Sequence, residues 1–252
     1  MNKRIIFPGI TGLLTSVLIL CCIGCKGADG PQGPAGPSLT GDIIGYAYLV
    51  DVNGTRASDN SGIAVSVEGK STSATTSADG RWVLSGLSSG TYTINMQKTG
   101  FGLRKVVGLQ FVGGGQEWWG TTSLYQIPSF TVTGLAATIS SGMVNISGNL
   151  TGSFPANYRY LRLFLSTSNT VSSSPSNYSY APGVSVYNST SFLVDVSPSS
   201  LSYYGITSGS TVYIVAYADS WGTMSYIDLI TGRSFYTTLN PTPSNVVSVV
   251  VP

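Results

Sequence analysis

Gln116-Glu117-Trp118-Trp119 is the stretch with the most ligand-directed chemistry in this 252-residue sequence. Indole rings stack on flat apolar surfaces such as the C–H faces of sugars, while a neighbouring carboxylate and amide supply hydrogen bonds. Adjacent residues of a strand point to opposite faces, so at most one of the two indoles joins a core. The pair therefore reads in two ways: as an aromatic platform beside Glu117, or as one core residue and one residue packed on a neighbouring domain. Tyrosine is the second concentration, with 11 of the 15 tyrosines between Tyr158 and Tyr236. In the Ser/Asn-rich stretch 172–180, Tyr178 and Tyr180 are candidates for contact with a partner, because Tyr gives contact area at low entropic cost. Tyr also suits half-exposed strand faces without any ligand.

Catalytic chemistry has little to work with. There is no histidine, and the three cysteines, Cys21, Cys22 and Cys25, all fall near the N-terminus. The commonest general base is thus missing, and the rest of the chain has neither a thiol nucleophile nor a thiolate metal ligand. No nucleophile elbow, phosphate loop or dinucleotide fingerprint occurs in a strand–helix context. Of the ten acidic residues, Asp195, Asp219 and Asp228 are the candidates for paired carboxylates in the C-terminal half. Asp79 precedes Gly80 and is explained by a turn, without a metal. The expectation is a non-enzyme with no cofactor and no metal. A net charge of +2, part of it from Lys3 and Arg4, leaves no basic patch for nucleic acid.

Residues 1–24 have the pattern of an export signal: Lys3 and Arg4, a largely apolar run over 5–23, then polar residues after Cys25. The run is also long enough for a membrane span, although Pro8, Gly9 and Gly12 interrupt it. Cys22-Ile23-Gly24-Cys25 resembles the bacterial lipobox, with Cys22 where Leu is usual. That resemblance implies lipid acylation of Cys25; a second frame would place the lipid on Cys22. A multi-chain anchor gains about 0.8 kcal/mol per buried methylene and holds a protein to membrane lipid essentially irreversibly. Residues 25–39 then form a tether, in which Gly27, Gly30, Gly33 and Gly36 set four Gly-X-Y triplets. Such a segment is either a short collagen-like helix or an extended Pro-rich spacer.

Positioning of the candidates falls to β-strands. Charged residues are 9% of the chain, Gly is abundant, and no segment beyond the N-terminus sustains a helical period. Alternation places Ile63, Val65 and Val67 on one face, Trp82 and Leu84 on another, and Tyr92, Ile94 and Met96 on a third. Asp79-Gly80 between such runs predicts a hairpin. In order, 45–51, 62–69, 75–82 and 90–101 resemble the pieces of the carboxypeptidase regulatory-like domain, a transthyretin-like β-sandwich. That resemblance implies a non-catalytic structural or adhesive module over residues 40–128.

Pro128 marks a boundary, and residues 129–252 predict a second sandwich. Strands are expected over 130–139 and 143–150, then 158–165 with Leu161, Leu163 and Leu165 on one side. The apolar run 212–218 is expected to be central, and 246–251 to be an edge strand. Residues 209–218 resemble the penultimate strand of fibronectin type III domains, implying an Ig-like sandwich. The predicted fold class is all-β, with two tandem antiparallel β-sandwiches. The predicted role is a lipid-anchored protein of the bacterial cell envelope, in the outer membrane or at the cell surface. There it serves as an adhesion module for glycan or protein; the alternative is a structural accessory of a transporter or surface assembly.

Overall fold

The structure is a computed structural model that describes residues 39–153 and 157–252. Cys25, its alternative Cys22, the signal and the Gly-X-Y triplets lie outside the described residues. The described chain is almost wholly β, as the composition predicts.

In the N-terminal half, β1 (Thr40–Val50), β4 (Arg81–Ser88) and β7 (Gln116–Tyr125) form a sheet in the order β4-β1-β7. Facing it, β2 (Ala64–Val67), β3 (Ser73–Thr75), β5 (Gly90–Gln97) and β6 (Arg104–Phe111) run in the order β3-β2-β5-β6. The period-two alternation decides what lies between them. Ile43, Ala47 and Leu49 point in from one sheet with Trp82 and Leu84; Val65, Val67, Tyr92, Ile94 and Met96 point in from the other. Each fully buried aliphatic side chain of this kind contributes about 1.5–3 kcal/mol.

Two expectations about pairing are corrected. The Asp79-Gly80 turn forms, with Gly80 at φ 89° and its N–H donating to Ser77 O at 2.8 Å. The flanking strands are nevertheless not a hairpin, because β3 pairs with β2 while β4 pairs with β1. Backbone bonds of Thr76 and Ala78 with the 60–63 segment carry the β2–β3 pairing up to the turn, and the buried Thr76 hydroxyl adds to it by donating to Asn60 O and accepting from Ile63 N–H. From there the chain crosses to the other sheet. A turn signal specifies reversal; it does not specify the partner.

The second correction concerns direction. β1 and β7 pair parallel, from Asp42 with Gln116 to Val50 with Tyr125, with a register shift after Ile44. Parallel neighbours need a long crossover, and here the opposite sheet supplies it. Gly113–Gly115 brings β7 in beside the start of β1: Gly114 N–H donates to Thr40 O and Asp42 N–H to Gly115 O.

In the C-terminal half, β8 (Thr131–Ser140), β9 (Met143–Thr151) and β12 (Ser191–Val196) form a sheet in the order β12-β9-β8. Its partner contains β10 (Tyr158–Ser166), β11 (Gly183–Tyr187), β13 (Thr211–Asp219) and β16 (Val247–Val250), in the order β11-β10-β13-β16. The apolar strand β13 is interior and β16 is an edge, as their sequences predict. Ser141 at φ 50° and Gly142 at φ 71° make the tight β8–β9 turn. A short helix, α1 (Pro198–Tyr203), is capped by Ser197, whose hydroxyl accepts from Ser200 N–H. Leu161, Leu163 and Leu165 face the main core with Ile146 and Ile214. On the outer side of β10 and β13, a second cluster joins Phe164, Tyr178, Val215, Tyr217 and Leu239.

A small hairpin, β14 (Ser225–Ile227) with β15 (Ser234–Tyr236), lies between β13 and β16 in sequence. The segment around it ties the halves together. Asn240 Nδ2 donates to Pro128 O at 2.9 Å, and Thr237 Oγ1 donates to Leu103 O at 2.8 Å. The Trp221 ring lies 5.9 Å from that of Tyr125.

Candidate functional site

The outer face of β4-β1-β7 carries a row of aromatic rings. Ile44, Tyr46 and Tyr48 alternate with the core residues of β1 and so point away from them. Trp118 is the β7 neighbour of Ile44, and its ring lies 5.7 Å from Tyr46, tilted by 58°. Tyr46 lies 6.1 Å from Tyr48 in turn. The Arg56 guanidinium carbon sits 3.1 Å over the Tyr48 ring and closes that end of the row. Gly80 supports the same ring: a Cβ there would meet Tyr48 at 2.9 Å. The open end is Trp118, 55% exposed. Such a surface offers π faces about the size of a sugar ring at successive strand positions.

Trp119 takes the inward direction, half-buried against the core with its ring 5.9 Å from Trp82. Glu117 is the β7 neighbour of buried Ile43 and lies on the same side as Trp119. The structure therefore separates Trp118 from Glu117 and brings it to Tyr46 instead. Tyr46 and Tyr48 escaped the sequence reading, although their alternation with Gly45, Ala47 and Leu49 carried the signal.

The tyrosine candidates of the C-terminal half do different work. Tyr178 is 5% exposed, edge-on to Phe164 at 5.0 Å, and its hydroxyl donates to Ser234 O at 2.6 Å. Burial, with Tyr236 beside it, pushes its pKa up to about 12. Tyr178 thus fills a core and shows a ligand no face, which corrects the expectation for it. Tyr180 is half-buried against the main core and stacks on Tyr204 at 4.2 Å; burial and Tyr204 raise its pKa.

The acidic residues each have separate partners. Asp195 accepts from the Asn145 amide, Asp228 from Thr231, and buried Asp219 from Arg162, Thr223 and Thr238. Among the described residues, no group of three or more Asp, Glu, His or Cys side chains could hold a metal, and no helix is long and apolar enough to cross a membrane. An open recess of about 680 Å³ lies beside Lys98, Gly100 and Phe101. Lys98 closes one wall by donating to Ser61 O at 2.5 Å.

No protein-family model and no curated protein matches this chain. Among solved structures, it is similar to a type II cohesin–X-dockerin complex from Acetivibrio cellulolyticus at 20% identity and a TM-score of 0.30. That match covers 34% of this chain and spans 57% of the other. A candidate carbohydrate-binding protein from Bacteroides uniformis is 13% identical with a TM-score of 0.30, covering 84% of this chain and 99% of that one. A DUF3823 family protein from Bacteroides ovatus is 12% identical with a TM-score of 0.30, covering 84% of this chain and all (100%) of that one.

Proposed function

We propose that this chain is a non-catalytic binding module of the bacterial cell envelope, held to the membrane by acylated Cys25, and that it stacks glycans on the Trp118–Tyr46 face. The observation that carries the reading is the exposed Trp118 ring continuing into a row of tyrosines on a rigid, hydrogen-bonded sheet. A sheet holds its rings in place before the ligand arrives, so little entropy is lost on binding. The polar edge of the row is Arg56 and Arg81, the latter being the β4 neighbour of Tyr46. The test is a glycan array probed with the full chain in detergent and with its Trp118→Ala variant. Selective retention on one class of glycan, lost in the variant, supports the reading. Absence of retention, or equal retention by the variant, overturns it.

A second reading, an accessory subunit docked on a transporter or surface assembly, is favoured by the β14–β15 turn. Leu229 and Ile230 are 85% and 94% exposed there, an arrangement suited to a partner's apolar pocket. Cross-linking in membranes separates the two readings, because an accessory subunit returns one stoichiometric partner and Leu229→Ser with Ile230→Ser abolishes it.

A further inference from the structure

The outer face of the second sandwich holds a cavity of about 250 Å³ lined by Tyr160, Arg162, Gly183, Ser185, Asp219 and Thr223, among others. Its floor is an ion pair. Arg162 Nε donates to the buried Asp219 carboxylate at 3.1 Å, and the guanidinium carbon lies 3.9 Å over the Tyr236 ring. Nη1 donates to Ala181 O at 2.8 Å and Nη2 to Thr223 Oγ1 at 3.3 Å. Three of the five guanidinium N–H groups are thereby engaged, which leaves two to donate elsewhere.

Asp219 is more fully occupied. Its two oxygens accept from Arg162, Thr223, Thr238 and the Ser220 N–H, which fills a carboxylate's usual four lone-pair sites. The carboxylate therefore fixes the guanidinium and has no acceptor site left for a ligand, while the guanidinium keeps donor capacity. A Cβ built on Gly183 would reach Arg162 Nη2 at 3.4 Å, so the missing side chain leaves space directly over the cation.

The rim is aromatic and hydroxylated. Tyr187 is the β11 neighbour of Tyr158, and their rings are 4.8 Å apart; Tyr160 stacks 6.4 Å further along β10. Ser185 is the β11 neighbour of Tyr160. The order along the face is two exposed rings, a half-buried tyrosine with a serine across from it, then the cation. The volume lies below the roughly 300–1,000 Å³ of clefts that hold drug-sized ligands, which limits the occupant to about one ring.

We infer that this cavity is a second saccharide subsite, taking the carboxylate of a uronic acid on Arg162 while the adjoining sugar rests on Tyr158 and Tyr187. Carboxylate is favoured over a neutral hydroxyl because charge-assisted hydrogen bonds are about twice as strong as neutral ones. The inference rests on the glycan-binding reading and adds to it a chemical class and a separate location.

Tetragalacturonate and its methyl ester, titrated into the full chain in detergent by calorimetry, provide the test. The ester removes the charge and keeps the sugar, and acetate at matched concentration supplies the charge alone. The expected result is that the acid binds about tenfold more tightly than the ester and that acetate does not displace it. Arg162→Gln breaks the pair with Asp219 and can unfold the chain, so the decisive variant is Gly183→Val on edge strand β11, which fills the space over the guanidinium. Gly183→Val is expected to erase the acid preference, while Leu193→Ser, at an exposed position of β12 that lines neither surface, preserves it. Equal binding of acid and ester, displacement by acetate, or an unchanged preference in Gly183→Val overturns the inference. Loss of all binding in Trp118→Ala with no effect of Gly183→Val also overturns it, and leaves the aromatic row as the binding site.

Discussion

The Trp82 indole lies so close against Gly45 that a Cβ on Gly45 would sit 2.6 Å from Trp82 Cζ2 and 2.9 Å from Gly120 O. Trp82 is 1% exposed and can move little, and the second neighbour is backbone. Gly45→Ala is therefore expected to destabilise the fold by about 1–3 kcal/mol through overpacking. In a unit of this size that lowers Tm by about 2–4 °C per kcal/mol, readable in a thermal melt. An unchanged Tm would mean that β1 and β4 shift apart without cost.

The two adjacent indoles should separate stability from binding. Trp118→Ala, on the outer face, is expected to change stability by less than about 0.5 kcal/mol. Trp119→Ala removes a ring packed on the core and should cost several times more. Urea denaturation of both variants decides it, and equal losses would place both rings in the core.

Removing the buried Asp219 leaves the half-buried Arg162 guanidinium without its partner. Asp219→Ala is expected to cost about 3–5 kcal/mol, whereas replacing both residues by apolar ones of similar volume should recover most of that loss. The midpoint of denaturant unfolding for the single and double variants measures the difference. A double variant no better than the single one would show that Arg162 matters chiefly through Ala181 and Thr223.

Tyr178 makes stability sensitive to alkali. Its folded pKa, about 12, lies above the ordinary tyrosine value of 10, so the native state holds its proton where the unfolded chain releases it. The contribution is complete below about pH 10 and is lost as pH rises through 12. Stability should fall over that window in the parent protein and less steeply in Tyr178→Phe. Tyrosinate absorbance followed alongside unfolding gives both readings.

Metabolic labelling with palmitate checks the anchor. Label is expected on the full chain and absent from Cys25→Ala. Retention of label in that variant, with loss in Cys22→Ala, would move the lipid to the second frame.

Much of the core was legible because alternation is a local property. Trp82, Leu84, Tyr92, Ile94 and Met96 can be assigned to inward faces without knowing which strands they meet. Partner choice was not legible. Asp79-Gly80 announces a reversal, but whether β4 returns along β3 or crosses to β1 rests on long-range pairing, the bonds of Thr76 and Ala78 with the 60–63 segment among it. The candidate site suffered the same way. Trp118 stood out by residue type, whereas Tyr46 lies 72 positions earlier in the chain and becomes its neighbour only through a parallel ladder that no local pattern announces. Tyr178 misled because a tyrosine in a Ser/Asn-rich loop has the composition of a contact surface, and only the fold of 172–180 over Phe164 turns it inward.

The position of β1 has a mechanical consequence. β1 is the middle strand of its sheet, with β4 on one side and β7 on the other. A pull along the strand from Thr40 loads both rows of hydrogen bonds at once, in shear, and cannot open them one after another like a zipper. Resistance to such a force should be set by the two ladders acting together, at the end of the domain where the chain arrives from its N-terminal segment.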